Sequence, residues 1–110
     1  MSIIKLSKVK KRNRCYGASF SDTLLNVLDI RDITNEKIVF TYEDDTQTLV
    51  VRMSTNVEGK GSNIRKGNAS NLFLSSFSLG EDIVEGEYEL SDNFEEGDFT
   101  FFEFELKDGE

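Results

Sequence analysis

Hydrophobic and polar positions alternate along this chain with the period of a strand far more often than with that of a helix. Residues 3–20 carry Ile3, Ile4, Leu6, Val9, Tyr16 and Phe20 at intervals. That spacing predicts a strand at each end of the stretch and a basic turn or bulge over residues 10–14. Ser21, Asp22 and Thr23 then offer N-cap chemistry and an acid for the positive end of a helix. Leu24, Val27 and Leu28 share one face at helical spacing, with Leu25 beside them, so residues 21–30 read as a short amphipathic helix. A helix of about ten residues does not stand alone in water, and packing on neighbouring strands must hold it. Residues 29–35 read as a turn.

The next stretch is a hairpin. Ile38, Phe40 and Tyr42 fall on one face of a strand, and Leu49, Val51 and Met53 line one face of the return strand, with Glu43-Asp44-Asp45-Thr46 turning between them. Residues 54–70 change character: Gly59, Gly61 and Gly67 stand among Ser and Asn, with Lys60, Arg65 and Lys66, which reads as a linker or loop. Beyond it the pattern is β again. A strand over 71–79 puts Phe73, Phe77 and Leu79 on one face. A short strand covers 86–90, residues 91–98 read as an acidic turn, and 99–106 form the most apolar strand, with Phe102, Phe104 and Leu106 opposite Glu103 and Glu105. The chain thus divides into residues 1–53, a linker at 54–70 and an acidic β-rich part at 71–110.

Charge sharpens that division. The net charge of −8 is the sum of two unlike parts. Residues 1–70 hold twelve bases and eight acids, a net +4, and residues 1–21 contain no acid at all. Residues 71–110 hold thirteen acids and one base, Lys107. A split of this kind suggests that one end meets a polyanion and the other end something different.

Composition narrows the chemistry. With no His, a Cys/His zinc site is excluded and the usual general base near neutral pH is missing. Cys15 is the single cysteine, so it forms no internal disulfide, and no base stands ready to make it a nucleophile. Asp44-Asp45 and Glu95-Glu96 lack the spacing of a calcium-binding loop, and Gly59-Lys60-Gly61-Ser62 lacks that of a phosphate-binding loop. No window reaches the roughly 18 apolar residues of a membrane span. The start of the chain has no apolar core of a secretory signal, so a cytoplasmic location is expected. The expectation is a protein that is not an enzyme and carries no cofactor or metal.

Residues 5–53 resemble the AbrB/MazE class of swapped-hairpin DNA-binding domains. Ala18-Ser19-Phe20 matches the strand that enters the helix, residues 22–28 the helix, Leu28-Asp29-Ile30 its end, and residues 37–42 and 48–53 the closing hairpin. Ser21 stands where the family usually has Pro, and Asp32-Ile33-Thr34-Asn35 lacks the family's Gly-Asp. The resemblance implies a mainly β, α+β fold with one short helix, in which two chains interleave their hairpins into one small barrel. It also implies a homodimer that contacts DNA through basic residues near the first strand, here Lys8, Lys10, Lys11, Arg12 and Arg14.

The expected function is therefore a dimeric, duplex-DNA-binding transcriptional regulator, antitoxin-like or phage-encoded. Its candidate nucleic-acid contacts are Lys5, Lys8, Lys10, Lys11, Arg12 and Arg14, with Lys60, Arg65 and Lys66 from the linker. Arg12 and Arg14 suit base edges because a guanidinium pairs bidentately with guanine, and Lys5 and Lys8 suit phosphates. Two rivals stand beside it. One is a phage-type single-stranded DNA-binding barrel with an acidic tail, for which Tyr16, Phe20, Phe40 and Tyr42 offer stacking rings, although a core position suits these four better. The other is an inhibitor of a host or defence protein that mimics DNA or docks through an acidic face of Glu95, Glu96, Asp98, Glu103 and Glu105.

Overall fold

Alternation of large apolar and polar side chains on almost every strand forces one face of a sheet inward, and here the sheet curls until that face is enclosed. The computed structural model describes residues 2–9, 14–55, 61–68, 71–79 and 82–107. The described elements run β1 (Ile3–Lys8), β2 (Cys15–Ser21), α1 (Asp22–Val27), β3 (Glu36–Glu43), β4 (Thr48–Thr55), β5 (Ser62–Asn63), β6 (Arg65–Lys66), β7 (Leu72–Ser78), β8 (Gly86–Glu96) and β9 (Phe99–Leu106). The fold is mostly β, and the strands form one nearly closed, barrel-like sheet. Its order is β5-β3-β4-β9-β8-β1-β2-β7-β6.

The first and last strands of that order, β5 and β6, are neighbours in sequence, and this closes the barrel. Ser62 and Asn63 pair with β3, Arg65 and Lys66 pair with β7, and Ile64 between them is buried. The buried Ser75 of β7 donates its hydroxyl to the Asn63 carbonyl at 2.9 Å, so β7 is tied to β5 across the seam. Residues 61–68 are thus part of the wall, a correction to the linker expected over 54–70. Ile64 supplies the apolar anchor, and its lone occurrence among Gly, Ser and Asn hid it.

The divisions at residues 53 and 70 do not partition the sheet. β1 pairs with β8, β4 pairs with β9, and one core holds Ile4, Leu6, Tyr16, Leu49, Tyr88 and Phe104 together. The edges of β1 and β4 are taken by β8 and β9 of the same chain. Tyr16, Phe20, Phe40 and Tyr42 are all buried in this core, as core side chains rather than base-stacking platforms.

The hairpin of β3 and β4 lies where the alternation placed it, with Phe40 opposite Val51 and Tyr42 opposite Leu49. The helix is shorter than expected. Ser21 precedes it but makes no side-chain cap bond. The Asp22 N–H donates instead to the Asn71 carbonyl at 3.1 Å. At the other end Asp29 takes a left-handed φ of +58°. The Ile30 N–H reaches the Leu25 carbonyl at 2.8 Å and the Asp29 N–H the Asn26 carbonyl at 3.2 Å, the double bond pattern that stops a helix. The turn that follows is held by Asp32, whose carboxylate accepts from the Thr34 N–H and hydroxyl and from the Asn35 side-chain amide. Those bonds hold the Asp32 carboxyl below its ordinary range.

Strand β8 is longer than expected. It continues to Glu96, so residues 91–96 are strand, and only Gly97-Asp98 turns. A bulge at Ser91, whose hydroxyl donates to the Glu103 carbonyl, shifts the register by one residue. Residues 91–100 are exposed on both faces, so no buried alternation marked this segment in the sequence.

At the base of β8 two phenols anchor the incoming chain. The Tyr16 hydroxyl accepts from the Ile83 N–H at 2.8 Å. Tyr88 donates to the Val84 carbonyl at 2.6 Å, and its ring meets Tyr42 edge-on. Burial, reinforced by the Tyr42 hydroxyl, pushes the Tyr88 phenol far above its ordinary value.

Candidate nucleic-acid interface

Residues directly opposite on neighbouring antiparallel strands share a face of the sheet. The register therefore lays out the outer surface row by row. One row crosses five strands: Glu87 of β8, Lys5 of β1, Ser19 of β2, Leu74 of β7 and Arg65 of β6. The next row is Ser7, Gly17 and Ser76. The wall between Lys5 and Arg65 is thus rich in hydroxyls. At about 4.8 Å per strand, the two bases stand roughly 14 Å apart along the sheet.

The four strands of this wall, β1, β2, β7 and β6, contain Lys5, Lys8, Arg65 and Lys66 and no Asp or Glu. Lys5 and Arg65 point outward and are exposed. Lys8 and Lys66 pair with the inward-facing Tyr16 and Phe73, so they alternate to the other side and reach solvent at the strand ends. Carboxylates border the wall without entering it. Glu87 faces Lys5, Glu85 accepts the Lys8 backbone N–H at 2.7 Å, and Asp82 lies 4.0 Å from Arg14. The Arg14–Asp82 pair is half exposed or more on both sides and contributes little to stability. Arg14 itself takes a left-handed φ of +56° at the entry to β2. Of the nine expected basic contacts, Lys10, Lys11, Arg12 and Lys60 lie outside the described residues. The structure brings Lys5 and Arg65 onto one face although sixty positions separate them in sequence.

The opposite charge occupies β8 and β9, which carry seven acids and no base. On their outer face Glu89 stands directly opposite Glu105, and Asp92 directly opposite Glu103. The expected acidic set divides here. Glu96, Glu103 and Glu105 share the outer face, Glu95 pairs with Thr100 on the other, and Asp98 sits in the turn. Asp98 also lines a recess of about 300 Å³ with Leu28, Met53 and Phe102.

Sequence reasoning missed three aromatic side chains on that outer face. Phe94 and Phe101 stack with centroids 5.1 Å apart, Phe99 meets Phe101 edge-on, and the Arg52 guanidinium lies 4.3 Å over the Phe99 ring. Phe99 and Phe101 share a period-two face with Glu103 on the strand read over 99–106, which was the available signal, and reading 91–98 as a turn concealed Phe94.

Among the described residues no group of three or more His, Cys, Asp or Glu is placed to hold a metal ion, and no helix is long and apolar enough to cross a membrane. Comparison with protein-family models, with curated proteins and with solved structures finds no match to this chain.

Proposed function

We propose that this protein binds duplex DNA through the wall of β1, β2, β7 and β6. One observation carries the reading: four adjacent strands hold four bases and no carboxylate, in a chain whose net charge is −8. Attraction to phosphate comes from local cations, through counterion release, so a basic wall works on an acidic protein when the acids are kept off its strands. The separation of Lys5 and Arg65 is comparable with the roughly 12 Å width of the major groove, so the two margins can reach phosphates on both strands. The hydroxyls of Ser7, Ser19 and Ser76 between them are donors suited to phosphate oxygens. A transcriptional regulator is the plainest use of a surface that occupies DNA.

The wall favours duplex over single strands. Stacking of unpaired bases needs aromatic platforms, and the outward positions in these rows hold Lys, Arg, Ser, Gly and Leu but no aromatic. A second copy is not required to complete the core, because β8 and β9 join β1 to β4 within one chain. A dimer would serve instead to present the wall twice, to two half-sites.

The test is binding of the purified protein to a duplex and to its separated strands across a salt series, with solution mass recorded. Duplex binding should weaken steeply with salt. Lys5→Ala with Arg65→Ala should flatten that slope by about one unit per lost phosphate contact. Binding to neither nucleic acid at low salt, a preference for single strands, or an unchanged slope in the double variant would each refute the reading.

A further inference from the structure

We infer that the outer face of the β8–β9 hairpin is a docking surface for a cationic, arginine-bearing polypeptide segment. This face is separate from the basic wall and does not depend on its role. Its centre is aromatic and open: Phe94 and Phe99 are 39% and 40% exposed, and Phe94 stacks on Phe101. The core does not explain these rings, because the hairpin buries its opposite face through Tyr88, Phe102 and Phe104.

Charge identifies the occupant. Glu89 faces Glu105 and Asp92 faces Glu103 across the two strands, and directly opposed like charges destabilise a sheet. A bound cation relieves that repulsion. An anion or nucleic acid is repelled, and an apolar partner would strip water from the carboxylates without replacing it. The molecule already displays the contact chemistry, since the Arg52 guanidinium covers the Phe99 ring at 4.3 Å. A guanidinium satisfies both parts of the surface at once, with its planar face on a ring and its fork toward a carboxylate.

Fluorescein-labelled nona-arginine and nona-lysine peptides, equal in length and charge, provide the probes. At physiological ionic strength the arginine peptide should bind about three- to five-fold more tightly than the lysine peptide. Phe94→Ala with Phe101→Ala should weaken arginine-peptide binding about ten-fold and erase the preference. Lys5→Ala with Arg65→Ala should leave it intact. If the double Phe variant loses its cooperative thermal transition, the exposed Phe94→Ala alone reads the same preference. Equal affinity for the two peptides, no binding of either, or a preference that survives removal of the rings would overturn the inference.

Discussion

The rings of Phe40 and Phe77 stack 4.2 Å apart, 16° from parallel, joining β3 to β7 inside the barrel where the sheet closes. Above them the wall between these two strands is only the short β5–β6 segment, so the seam is held from within by aromatic packing and across by the Ser75–Asn63 bond. Phe77→Ala removes most of that packing from a buried site. It should cost about 3–4 kcal/mol, read as a lower urea midpoint. A loss below about 1 kcal/mol would mean that the seam is held elsewhere.

Tyr88 should limit stability at high pH. Its phenol is raised above the ordinary 10.0 in the folded chain, mainly by burial. The unfolded chain therefore ionises first as pH rises. The stabilisation is complete below about pH 10 and is lost progressively as pH climbs above that value toward the folded pKa. Tyr88→Phe should lower stability at neutral pH by about 1 kcal/mol, through loss of the bond to Val84. It should also show a shallower alkaline decline than the parent, measured by thermal melts over a pH series.

Asp29 ends the helix in a backbone conformation that suits glycine. Its contact with Arg31, at 3.4 Å, is between side chains at least three-quarters exposed and adds little. Asp29→Gly should raise the denaturation midpoint, by about 0.5–1 kcal/mol, because the Cβ penalty at positive φ disappears. Destabilisation on that change would show that the Asp side chain holds the turn.

Ser76 stands exposed in the middle of the basic wall, one row from Lys5 and Arg65. Ser76→Glu places a carboxylate where the proposed DNA backbone passes. Duplex affinity should fall about ten-fold or more. Stability should stay within about 0.5 kcal/mol of the parent, as for most surface changes. Unchanged affinity in an electrophoretic or anisotropy titration would place the DNA elsewhere.

Local pattern determined much of the strand content. Ile38, Phe40 and Tyr42 alternate, as do Leu49, Val51 and Met53, and a period of two specifies both a strand and its buried face. Phe102 and Phe104 did the same for β9. The charge asymmetry between residues 1–21 and 71–110 was equally plain, because charge is a property of residues and not of their arrangement. Only the tertiary structure decided which strands are neighbours. Backbone ladders are alike whatever the side chains, so the choice of β8 beside β1 and β9 beside β4 rests on how the whole core packs and on which loops close. That choice set Lys5 and Arg65 on one wall, exposed Phe94 and Phe99 on another, and buried Ile64 in a stretch whose composition spoke for a linker.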